Sequence, residues 1–160
     1  MIYEIAKEPA KVLREKARPL SAEEMDTPQL HKLVKDMIHT MIAAKGVGLA
    51  APQIGLGQRI IVVGAPEKGL VSVINPEITK RSLGSSESEE GCLSVPGTWG
   101  VVKRANSITV IGFNPDGSPF KRSVRDFEAT IYQHEIDHIN GILFIDKAKN
   151  IAKVGTTTQI

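Results

Sequence analysis

The chain has 160 residues, 41% of them hydrophobic and 24% charged, with a net charge of only +2. That balance suits a single domain over residues 1–160 with a real core, and makes no case for a specific nucleic-acid partner or a membrane span. One cysteine excludes an internal disulfide framework, and Met1-Ile2-Tyr3-Glu4 opens neither a signal nor a transit peptide, so a cytoplasmic location is expected.

Residues 1–20 place Pro9 and Pro19 around Val12, Leu13 and Ala17, which reads as an arm lying against the body. Ser21-Ala22-Glu23-Glu24 has capping-box spacing, but Pro28 cuts any helix there short. Thr27 and Pro28 then serve as N-cap and first residue of an amphipathic helix ending at Gly46. Its stripe is Leu30, Leu33, Val34, Met37, Ile38, Met41 and Ile42. The histidines and methionines on it (His31, His39, Met37 and Met41) read as surface and core.

The stretch from Gly46 to Gly55 is dense in small residues. It permits either a tight turn or the close approach of another backbone. Gln53 stands out there as an amide in apolar company. From Arg59 the period shortens to two, with strands expected over 60–63, 70–74, 77–82 and 108–113, and 120–124 as a hairpin partner beyond the turn 114–117. Glu89 to Pro96 reads as a polar loop holding Cys92. A lone cysteine is most often a small buried hydrophobe.

The richest stretch is Gln133-His134-Glu135-Ile136-Asp137-His138. Histidines four apart on a helix stand one turn above each other and can share a metal ion. Glu135 projects about 100° around from His134, near enough to touch water at that metal without being a ligand. Phe127 and Ile131 extend the histidine stripe, and Ala129, Tyr132, Ile136 and Ile139 form a second apolar face, so this helix should be buried. Asn140-Gly141 supplies its stop. The alternative reading is two histidines packed against a core and merely hydrogen-bonded. A catalytic site needs three protein ligands and an open position, and a Cys92 thiolate would complete a Cys-His-His set. The expected fold is α+β, with mostly antiparallel sheets around the buried H-E-x-x-H helix and the amphipathic helix before it. Residues 155–160 read as a disordered tail.

Three segments together resemble the peptide deformylase family: Gly46-Val47-Gly48-Leu49-Ala50-Ala51-Pro52-Gln53, Glu90-Gly91-Cys92-Leu93-Ser94 and Gln133 to His138. The resemblance implies a metal-dependent hydrolase that removes the formyl group from N-formylmethionyl nascent peptides. It implies Cys92, His134 and His138 as metal ligands, with Fe(II) as the native ion and zinc, nickel or cobalt as substitutes. Glu135 would be general base and acid, and the Gln53 amide and Leu93 N–H would meet the oxyanion. The peptide would dock beside Val47 and Gly91, its methionine entering a pocket lined by Gly48, Leu93, Trp99 and Ile131. Glu90 and Arg104 would pair to brace the cysteine segment. Many bacterial members continue into a long C-terminal helix, which is absent from this sequence; transient ribosome proximity and a monomeric state are the remaining expectations. A zincin-type metallopeptidase shares H-E-x-x-H but takes its third ligand from His or Glu. A non-catalytic metal-binding module would need a fourth ligand, and neither Asp137 nor His39 has convincing spacing.

Overall fold

A run of four buried β-branched residues, Ile60 to Val63, divides the molecule into two cores. The computed structural model describes residues 1–65, 69–153 and 160. In chain order its elements are α1 (Pro28–Ala43), β1 (Gly48–Ala50), β2 (Ile60–Ala65), β3 (Gly69–Arg81), β4 (Ser85–Cys92), β5 (Val95–Ala105), β6 (Ser107–Phe113), β7 (Pro119–Arg125), α2 (Asp126–Ile139) and β8 (Lys149–Lys153). One sheet has the order β1-β2-β3-β6-β7 and the other β4-β5-β8, and every ladder within them is antiparallel. The α+β expectation holds.

Alternation along β2 sends Ile61 and Val63 to one core and Ile60 and Val62 to the other. The first core packs Ala129, Ile131, Tyr132, Ile136 and Ile139 of α2 against the large sheet. The second packs Leu30, Val34, Met37 and Met41 of α1 on its other side. A smaller cluster packs Cys92 and Val102 of the second sheet with Phe144, whose ring stacks on His134 of α2. Helix α2 is therefore enclosed by both sheets, with ten of its fourteen residues buried. Buried polar side chains on such a helix can only face other protein groups or a ligand.

Helix α1 starts as its sequence directs. The Thr27 hydroxyl accepts from the Leu30 N–H at 3.2 Å, and Pro28 opens the helix. Ile42 leaves the expected stripe and is 54% exposed. The arm does lie on the body, through Ala6 N–H to the Gln53 carbonyl (2.7 Å) and Glu8 N–H to the Ser94 carbonyl (2.9 Å).

Three strand expectations change. The strands expected over 70–74 and 77–82 form one continuous β3, bent by a register shift between Ile74 and Glu77. Asn75 sits there at φ 50, a conformation its short side chain tolerates, and its amide clasps both backbone groups of Leu20 at 2.9 Å. Asn75-Pro76 thus kinks the strand without ending it. The Gly46–Gly55 stretch contains a short strand, β1, paired with β2. The polar loop expected around Cys92 is instead the end of β4, which is laddered with β5 as far as Cys92. Its sequence, Ser-Ser-Glu-Ser-Glu-Glu-Gly-Cys, has no apolar alternation, because its first five residues are all exposed.

Candidate metal centre

The end of β4 delivers Cys92, and one turn of α2 delivers His134 and His138 on the same face. Cys92 Sγ lies 3.2 Å from His138 Nε2, which lies 3.2 Å from His134 Nε2. The three ligand atoms fall within 4.8 Å of one another, and all three residues are buried. The three residues expected as ligands are thus brought together. Phe127, expected on the same stripe, is 48% exposed.

Protons alone satisfy this arrangement poorly. The His134 Nδ1–H donates to Glu90 Oε1 at 2.8 Å, which leaves Nε2 facing the other two atoms. Burial above all, with the nearby Arg104 charge acting in the same direction, holds His138 well below the ordinary histidine range, which favours the neutral ligand form. Burial pushes the Cys92 thiol up to about 12. A cation beside the sulfur opposes that effect, because the thiolate is the metal-binding form. Two imidazole nitrogens and a sulfur aimed at one point are a donor set that fits a borderline divalent ion.

Glu135 completes the picture. It is fully buried, and neither carboxylate oxygen has a partner among the described residues. Burial, reinforced by the nearby Glu90 charge, raises its pKa well above the usual carboxylate range. Such an orphan is costly unless water, substrate or an ion completes it. Gly48 makes room for it: a Cβ there would overlap the carboxylate, with its γ and δ carbons 2.9 Å away.

A buried ion network holds the histidine pair in place. Arg104 forks onto both Glu90 oxygens at 2.9 Å and reaches Asp137 Oδ2 at 2.6 Å, and Lys147 reaches Asp137 from outside at 2.9 Å. Burial works against Glu90's charge, but the Arg104 and His134 hydrogen bonds overcome it and hold Glu90 at about 2. The implied Glu90–Arg104 brace is therefore present. Asp137 is engaged here rather than at the metal.

The Gln53 amide nitrogen points at Cys92 Sγ (3.6 Å) and the Ser94 hydroxyl (3.2 Å), while its oxygen accepts from the Ala50 N–H at 2.9 Å. Gln133 pins α2 to β5: its amide donates to the Ala105 carbonyl and accepts from the Ala105 N–H, both at 3.0 Å. Ser94 and Gln133's pin were not singled out from the sequence; position +2 from Cys92 was the only available signal for Ser94. Of the expected peptide contacts, Ile131 is buried, Val47 packs against the same core, and Trp99 pairs with Gly91 in the β4–β5 ladder. Gly91 and Leu93 both bond to Ile160: Ile160 N–H donates to the Gly91 carbonyl at 3.1 Å, and Leu93 N–H donates to the Ile160 oxygen at 3.4 Å. Of the expected disordered tail, residues 155–159 lie outside the described residues, and Ile160 is buried.

Comparison with known proteins places this geometry in a family. The polypeptide deformylase family profile matches residues 2–154. A peptide deformylase of Desulforudis audaxviator is 46% identical over 95% of this chain and 97% of its own length. One from Halothermothrix orenii is 49% identical over 89% and 90%. The Met-Ala-Ser-bound crystal structure of a class I type b peptide deformylase from Acinetobacter baumannii superposes with a TM-score of 0.89 at 38% identity, covering 92% of this chain and 99% of that one. The metallopeptidase and binding-module readings are not favoured.

Proposed function

The chain belongs to the polypeptide deformylase family, and from that premise we propose how its own residues remove a formyl group. The activity is hydrolysis of the N-formyl amide on formylmethionyl polypeptides, with release of formate. Cys92, His134 and His138 hold one divalent ion, Fe(II) natively, with zinc, nickel or cobalt able to replace it. The observation that carries this assignment is the convergence of those three ligand atoms beside a buried carboxylate with no partner among the described residues. When bound, the ion supplies Lewis acidity, lowering the pKa of water and polarising a carbonyl oxygen.

The rest is the work of side chains. Glu135 takes the proton from the attacking water as the oxygen–carbon bond forms, and returns it to the amine nitrogen as the carbon–nitrogen bond breaks. The products are formate and a free N-terminal methionine. The oxygen that gains charge at the tetrahedral stage is met by the Gln53 amide and the Leu93 N–H; each such donor is worth about 3 kcal/mol in the transition state. Glu90 keeps His134 in the tautomer that presents Nε2, and Arg104 keeps Glu90 charged. The peptide lies along Val47 and Gly91, with its methionine toward Gly48, Leu93, Trp99 and Ile131. We assign the enzyme to the cytoplasm, as a monomer acting close to the ribosome on emerging chains. Among the described residues no helix is long and apolar enough to cross a membrane.

The test is formate release from formyl-Met-Ala-Ser by protein purified without oxygen, alongside metal analysis. The proposal expects one iron per chain and activity that a chelator removes. It also expects the iron form to lose activity in air, with oxygen added to Cys92, while a nickel-loaded sample survives. An iron form stable in air, with Cys92 freely alkylated while metal stays bound, would show that Cys92 is not a ligand.

A further inference from the structure

Ile160 takes up groups that the peptide strand needs. Its N–H and backbone oxygen bond to Gly91 and Leu93, on either side of Cys92, in the pattern of one rung of a parallel ladder. Its side chain is 2% exposed and joins the cluster that contains Ile131, against which Val47 also packs. Four of the residues assigned to peptide binding are thus engaged by, or share a cluster with, one residue of the chain itself. The Leu93 N–H, assigned to the oxyanion, is one of them.

We propose that Ile160 is an intramolecular competitor for the formylmethionine slot: an apolar residue held by strand-type hydrogen bonds, which must leave before substrate enters. The proposal rests on the assignment of Gly91 and Leu93 to the substrate strand. It makes the slot a receptor for an unformylated apolar residue and raises the substrate concentration needed for half-saturation. Occupation of the slot multiplies the apparent affinity for substrate by the open fraction; a slot closed nine-tenths of the time raises KM about tenfold and leaves kcat unchanged.

The experiment compares the full-length wild type with Ile160→Asp, which puts a charge into an apolar slot, and with Ile160→Gly, which removes the side chain. Both variants should lower KM for formyl-Met-Ala-Ser by about fivefold or more, with kcat within about twofold of wild type. Calorimetric Kd for Met-Ala-Ser should fall by the same factor. A third readout needs neither substrate nor turnover: in zinc-loaded protein, amide exchange at Leu93 should quicken at least about fivefold in Ile160→Asp, because its N–H loses its acceptor. Unchanged Leu93 exchange and unchanged KM overturn the proposal. Absence of formate release from every sample, including metal-loaded wild type, overturns the deformylase mechanism instead, and the Leu93 exchange then still decides whether Ile160 holds the slot.

Discussion

On α1, Asp36 and Thr40 are buried, and each has a protein partner. Lys32 donates to Asp36 at 2.6 Å, and the Thr40 hydroxyl accepts from the Tyr3 N–H at 2.9 Å and donates to the Asp36 carbonyl at 2.8 Å. On α2, Gln133 is likewise paired, but His138 Nδ1 and both oxygens of Glu135 have no partner among the described residues. Helix α1 is half solvated and its polar groups are satisfied locally, so it contributes stability. Helix α2 is enclosed, and it carries an unpaired carboxylate into the interior at a cost that folding alone does not repay. The difference separates a packing helix from one built around a ligand site.

The sharpest way to break the comparison is Glu135→Gln. It removes the proposed proton carrier but neither a proposed ligand nor a packing volume, so turnover should fall by about 10³-fold or more while metal content and melting temperature hold. Near-normal turnover would mean that the orphan carboxylate has another purpose.

The next largest effect is expected at Arg104. Arg104→Met strands Glu90 in the interior and should cost roughly 3–5 kcal/mol in denaturant unfolding. Its pH signature has a definite sign. Glu90 is held at about 2 against an ordinary value of 4.5, so its contribution is present in full above 4.5 and is lost as pH falls through 2. That contribution is on the order of 3 kcal/mol. In Arg104→Met the slope of stability between these values should flatten. An unchanged acid limb would remove Glu90 from the account.

Gly48→Ala tests the space kept for Glu135. The added methyl meets the carboxylate stem, so kcat should drop about 10- to 100-fold through displacement of the side chain, with metal still bound. Full activity would show that Glu135 has room to move. The smallest effect belongs to α1. Lys45, just past its C-terminus, has φ 58, and Lys45→Gly should raise stability by roughly 0.5–1 kcal/mol without touching kcat.

The sequence made α1 and α2 readable for different reasons. A 3.6-residue stripe with Thr27-Pro28 at its head is a local signal, and local signals survive packing. Helix α2 was legible through chemistry, since Gln133 to His138 carries its meaning in residue types. The β4 strand was not legible, because its identity comes from pairing with β5 rather than from its own exposed serines and glutamates. The Arg104–Asp137–Lys147 arm of the ion network was equally hidden: three charges spread over 44 positions of sequence look like ordinary surface until the fold closes them. Ile160 gave no signal at all, since its meaning lies wholly in the carbonyl and N–H it meets.

X-ray absorption at the zinc edge, on zinc-loaded wild type and Glu135→Gln, tests the central claim most directly. The account predicts the same first shell in both: one sulfur at about 2.3 Å and two imidazole nitrogens at about 2.0–2.1 Å, with no carboxylate from the protein. A shell without sulfur, or one that changes when Glu135 becomes Gln, would contradict the division between the three residues that hold the metal and the one that moves the proton.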